Sequence, residues 1–133
     1  FILEKMRRNY SVEQSIKNIK YAQKQIKDLN IGFDIIVGFP FETDETFEET
    51  YKTVELLNPG YLHVFPYSKR PLTEASKYNH SINGTIIKER SKKLRNLGEK
   101  LKINYINSKL NKVYDVLFEE VVEIEKHVTV IKY

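Results

Sequence analysis

The sequence predicts an α/β fold of parallel βα units, followed by a long helix and a short β-rich carboxy-terminal piece. Three observations lead there: an apolar run at residues 31–38 without alternation, a second strand-like run at residues 61–65, and an amphipathic stretch of helical period between them. Runs that are apolar throughout suit strands covered on both faces. A strand–helix–strand run of about 35 residues has the proportion of a βαβ unit.

The elements follow in order. Ser11-Val12-Glu13-Gln14 has the form of a capping box, and Ile16, Ile19, Ala22 and Ile26 then give one apolar helix face to about Lys27. Asp28-Leu29-Asn30 breaks that pattern. Ile31, Phe33, Ile35, Ile36 and Val37 make the first strand, with Asp34 as its one anomaly. Gly38-Phe39-Pro40 ends it, and Thr43-Asp44-Glu45 starts a helix whose buried stripe is Phe47, Tyr51, Val54 and Leu57. Asn58-Pro59-Gly60 stops this helix, and Tyr61-Leu62-His63-Val64-Phe65 is the second strand. Residues 67–84 read as irregular. A long helix over residues 85–108 follows, with Ile87, Leu94, Leu97, Leu101 and Tyr105 on one face. Residues 112–120 and 128–133 then look like two strands joined by a charged turn, so a boundary is expected after residue 110, dividing 1–110 from 111–133.

Composition bounds the chemistry. The chain has 133 residues, 41% hydrophobic and 30% charged, enough apolar content to build a core. It has no cysteine, which excludes disulfides, thiolate zinc sites, cysteine nucleophiles and cysteine-held iron–sulfur clusters within these residues. No run approaches the roughly 18 apolar residues of a membrane span, so a cytoplasmic chain with no membrane partner is expected. The opening at Phe1 reads as the middle of a longer protein. Charge is segregated: residues 28–55 hold eight acids against Lys52, and residues 76–112 hold ten bases against Glu89 and Glu99. The basic segment either steers a polyanion or is a solvated helix face.

Two segments are candidates for chemistry. Residues 34–43 leave the first strand at its carboxyl end, where parallel sheets place their ligands; Gly38 allows close approach of a ligand to the backbone. The alternative is ordinary strand-to-helix turn chemistry. Residues 65–75 leave the second strand on the same edge, with Tyr67, Ser68 and Thr73 hydroxyls, the Arg70 guanidinium and two prolines. They form either a preformed binding surface or a stiff connector. Met6-Arg7-Arg8-Asn9-Tyr10 is a basic–aromatic cluster that touches nucleic acid or simply ends a helix. His63, His80 and His127 have no ligand spacing, and no metal site is expected.

At these motifs the sequence resembles the radical S-adenosylmethionine (SAM) tRNA methylthiotransferases. Residues 34–40, Glu42-Thr43 and Phe47-Glu48-Glu49-Thr50 resemble the family's DIIVGFPGET stretch and the F.ET that follows it. Residues 65–75 resemble FPYSPRPGTPA, and Met6-Arg7-Arg8-Asn9-Tyr10-Ser11 resembles MRRxYT. Lys88-Glu89-Arg90 with Leu94 and Leu97 resembles a KERxxxL connector, and Val116-Leu117-Phe118-Glu119 the VLVE opening of a TRAM barrel.

The resemblance implies the later part of a partial TIM-like barrel, with its connector helix, and the start of a tRNA-binding TRAM module. It implies a parent enzyme that uses SAM and two 4Fe–4S clusters to add a methylthio group to a modified adenosine beside the anticodon. Residues 62–68 lean toward the branch acting on threonylcarbamoyl-adenosine. Gly38, Phe39, Pro40, Tyr67, Ser68 and Arg70 are the expected SAM contacts, and Lys88, Arg90, Lys92, Lys93 and Arg95 the expected tRNA contacts. Phe41 and Leu72 replace family glycines; a glycine that needed positive φ would demand a different turn when replaced by either. The CxxxCxxC motif is absent, so these residues alone are expected to be inactive and to bind no cofactor. Exposed strand edges are expected to promote self-association. The alternatives are a noncatalytic tRNA-binding module and another radical SAM branch.

Overall fold

The computed structural model describes residues 1–115 and 117, and the backbone of residues 120–125 and 128–132. The helices are α1 (Ile2–Lys5), α2 (Val12–Gln25), α3 (Asp44–Leu57) and α4 (Gly84–Lys109), with a short 3-10 turn at Glu74–Lys77. The strands are β1 (Gly32–Val37), β2 (Tyr61–Pro66), β3 (Glu120–Glu125) and β4 (Val128–Lys132). The β1–α3–β2 unit is present as expected, with β1 and β2 parallel and paired from Gly32↔Tyr61 to Val37↔Pro66.

The caps act where the sequence places them. Ser11 Oγ accepts from the Gln14 amide at 3.1 Å, and Thr43 and Thr46 satisfy each other's amides in a capping box. Asn58, in the left-handed region at φ 47°, ends α3. Short α1 has no strong sequence signal and was not anticipated.

Helices α3 and α4 lie on the same face of the β1–β2 pair. Phe47 and Val54 from α3, Leu94, Leu97 and Leu101 from α4, and Val37 and Val64 from the strands form the core, flanked by Phe33, Ile35, Tyr51 and Leu62. Helix α4 descends antiparallel to β2. Ile87 sits beside Gly38 at the carboxyl end, Gly98 faces Leu62 midway, and Tyr105 reaches Gly60 at the amino end. A Cβ at Gly98 would stand 3.0 Å from Leu62 Cβ, so the missing side chain sets how closely helix and strand approach. At the lower end Lys109 Nζ meets Asp28 Oδ1 at 2.8 Å. That bond holds the Asp28 carboxyl below its usual range and the Lys109 ammonium above its own.

Two expectations are corrected. Among the described residues β1 and β2 are covered on one face only. Asp34 and Ile36 of β1 and Tyr61, His63 and Phe65 of β2 lie on an open face, with Ile36, Tyr61 and Phe65 each 39–48% exposed. This resolves the Asp34 anomaly: it stands opposite His63, 3.4 Å from Nδ1, while Tyr61 OH bonds the other ring nitrogen. Of the two carboxy-terminal strands, the second falls where expected and the first is displaced. Residues 112–115 and Leu117 lie outside any strand, with Val113 and Leu117 largely exposed, whereas the segment read as a charged turn contains β3, antiparallel to β4. Alternating glutamates had masked a strand. The VLVE match at residues 116–119 lies largely outside the described residues.

Candidate functional site

Two turns of the same kind converge at the carboxyl ends of β1 and β2. In the first, the Glu42 amide donates to the Phe39 carbonyl at 3.0 Å across Pro40 and Phe41. In the second, the Thr73 amide donates to the Arg70 carbonyl at 3.4 Å across Pro71 and Leu72. Proline fixes the first central position at negative φ, and Phe41 and Leu72 take φ 73° and 66° at the next. Proline followed by positive φ is the type II turn, which favours glycine at its third position. Both turns are therefore built with bulky residues in left-handed backbone. Such a residue costs about 1–2 kcal/mol relative to glycine. Leu72 is fully exposed, so Leu72→Gly is expected to raise stability by about 1 kcal/mol. Chemical denaturation of this chain would check it; an unchanged or lower midpoint would show that the turn is not strained.

The turns are held side by side. The Tyr67 amide bonds the Val37 carbonyl at 2.7 Å, extending the ladder one step beyond β2. Buried Phe39 meets Tyr67 and Tyr78 edge-on at ring distances of 5.3 and 6.3 Å. Phe41 packs on Tyr78 and, at 4.4 Å, on His80, which gives its unusual backbone some return in aromatic contact.

Between these turns and the α1–α2 connection lies a cleft of about 360 Å³, lined on its apolar side by Met6, Ile36, Phe39 and Tyr67. Lys5, Arg7 and Arg8 supply positive charge to it, and Arg7 pairs with Glu74 at 3.4 Å. The Tyr67 hydroxyl is buried without a hydrogen-bond partner among the described residues. A buried hydroxyl left unpaired costs free energy.

Phe39 and Tyr67 are thus the two expected SAM contacts that line the cleft. Gly38 and Pro40 are buried behind it, and Ser68 and Arg70 stand exposed on the neighbouring loop. Gly38 has φ 82°, and a Cβ there would lie 2.5 Å from Ile87 Cγ1, so its lack of a side chain admits the helix rather than a ligand.

The basic helix divides into two kinds of residue. Lys88 and Lys92 are exposed and make no ion pair among the described residues. Lys93 is exposed but bonds Glu48 at 2.9 Å, and Arg95 bonds the Val64 carbonyl at 3.2 Å. Arg90 does not belong to the surface set. It is 7% exposed, and Nη1 reaches Glu42 Oε1 and Nη2 reaches Asp44 Oδ1, both at 2.6 Å. Burial opposes its charge, but the Asp44 and Glu42 carboxylates outweigh burial and hold the guanidinium above its usual range. Its partners lie 46 and 48 residues away, so no local pattern signals this clamp. Among the described residues no three His, Cys, Asp or Glu side chains converge on a metal position.

Residues 1–54 match the Radical SAM superfamily. The chain is 40% identical over 99 residues to the threonylcarbamoyladenosine tRNA methylthiotransferase MtaB of Aquifex aeolicus (strain VF5), covering 74% of this chain and 24% of that protein. It is 42% identical over 118 residues to a probable threonylcarbamoyladenosine tRNA methylthiotransferase of Pyrococcus abyssi (strain GE5 / Orsay), covering 87% and 27%. A tRNA-2-methylthio-N(6)-dimethylallyladenosine synthase of Endomicrobium trichonymphae is 38% identical over 120 residues, covering 90% and 29%. The resemblance read from the motifs is borne out: over most of its length the chain is similar to tRNA methylthiotransferases. It spans about a quarter of the length of these curated relatives.

Proposed function

We propose that the chain is the later barrel portion of a radical SAM tRNA methylthiotransferase. Its parent adds a methylthio group to threonylcarbamoyl-adenosine beside the anticodon, in the cytoplasm where tRNA resides. The observation that carries this reading is the cleft at the joined ends of β1 and β2, where apolar Met6, Ile36 and Phe39 and the Tyr67 side chain meet cationic Lys5 and Arg7. SAM offers the matching groups, an apolar adenine face, hydrogen-bonding edges and a carboxylate, so these residues fit it. When bound with its cluster, SAM supplies the radical chemistry; the residues here bind and orient it. The clusters do not fit this chain, which has no cysteine, so it is inactive alone.

In this reading residues 1–110 complete a TIM-like barrel with segments outside the chain, and the β3–β4 hairpin opens a TRAM module. Lys88, Lys92, Lys93 and Arg95 attract tRNA, with an affinity that falls steeply as salt rises. The open face bearing Ile36, Tyr61 and Phe65 is the barrel interior. Exposed in isolation, that face and the strand edges make the 133-residue chain self-associate, and sedimentation velocity at rising concentration should show it. A single monomeric boundary at high concentration would count against it.

Nucleoside mass spectrometry of total tRNA from a strain lacking the parent gene tests the function. Loss of the methylthio group from threonylcarbamoyl-adenosine alone is expected. Loss from dimethylallyl-adenosine instead would move the substrate, and an unchanged profile without a redundant enzyme would favour a noncatalytic tRNA-binding module.

A further inference from the structure

We propose that Arg90 is a positioning residue for the ligand site, acting through Glu42 on the backbone of Gly38; this rests on the reading that the turn after β1 meets SAM. One Glu42 oxygen accepts the Gly38 amide at 3.1 Å, and the other accepts Arg90 Nη1 at 2.6 Å. The same Nη1 also donates to the Glu42 carbonyl at 3.3 Å, while Nη2 reaches Asp44 in the first turn of α3. A single guanidinium therefore ties α4 to both ends of the turn that carries Phe39 into the cleft. Ile87, one helical turn earlier, closes over Gly38 from above.

Two features separate this from a merely stabilising ion pair. Buried pairs of this kind are commonly matched or bettered in stability by apolar residues of similar volume. Arg90 also keeps its buried Nε without a partner among the described residues, a cost that packing alone would remove. What the arrangement does supply is direction. The planar fork fixes two carboxylates and a carbonyl at once, which a lysine ammonium cannot reproduce. The Gly38 amide is thereby held by a carboxylate that cannot rotate away.

The test uses the full-length parent and the variants Arg90→Lys and Glu42→Gln, the second being isosteric and so kept folded. Hydrogen exchange at the Gly38 amide is expected to quicken about tenfold in both, and the Kd for SAM to weaken about tenfold, since each factor reflects loss of one charge-assisted bond. A third variant, Arg90→Met with Glu42→Gln, removes both charges together. Its tRNA affinity should keep the wild-type salt slope, whereas loss of a phosphate contact lowers that slope by about 0.7–0.9. Exchange and SAM affinity both within about twofold of wild type, or a lowered salt slope, would overturn the proposal. If wild-type protein bound no SAM, the functional reading would fall, while the Gly38 exchange would still decide whether the clamp exists.

Discussion

Truncating Leu94 to alanine should remove about 2–5 kcal/mol of stability, the range for emptying a buried leucine site. Leu94 has 0% exposure and stands where α4 meets both strands and α3, among Val37, Phe47, Val54, Val64, Leu97 and Leu101. Those neighbours belong to four different elements, each pinned by its own hydrogen bonds, so the site cannot collapse to fill the void. The value belongs toward the upper end for that reason. Against a total stability of about 5–15 kcal/mol for a domain, such a loss takes a large share. Urea denaturation would measure it, with Leu56→Ala as the reference because Leu56 is 59% exposed. Equal midpoints for the two variants would mean that α4 is not part of the cooperative core.

The second large effect is at Arg90. Arg90→Met should destabilise the chain by about 3–5 kcal/mol, because removing one partner strands a buried charge. The cost falls on Glu42, whose side chain is only 10% exposed, and hardly on Asp44, which at 90% exposed rehydrates freely. Pairing the change with Glu42→Gln should return most of the loss, since a neutral amide has less to recover from water. A single-variant loss below about 1 kcal/mol would place the pair with solvent-screened surface bridges.

The backbone plan could be read from the chain because its signals are local. Ser11 and Thr43 cap within three residues of themselves, and Phe47, Tyr51, Val54 and Leu57 repeat at helical spacing. The motif segments at residues 34–43 and 65–75 also fall where expected, at neighbouring strand ends. What stayed hidden depends on distant partners. Arg90 looks like its neighbours Lys88 and Lys92 in sequence, and only the fold brings Glu42 to it. Phe41 and Leu72 do not announce left-handed backbone, yet both adopt it, each after a proline and Phe41 with aromatic packing around it. Strand β3 was concealed by its glutamates, because charge at alternate positions reads as a turn until a partner strand supplies the register.

Helix α4 also works as a ruler. Its 26 residues span about 39 Å at 1.5 Å per residue, and it is pinned at both ends. Ile87 and Arg90 fix its rotational phase at the turn after β1, and Tyr105 and Lys109 fix it again near Asp28. One residue inserted between these anchors would rotate everything beyond it by about 100° and take Lys109 off Asp28's side of the helix. Length variation among relatives should therefore be confined to the segments around α4, such as residues 67–83 and 110–115. The carboxyl end of the helix thereby stands at a fixed distance and rotational phase from the cleft.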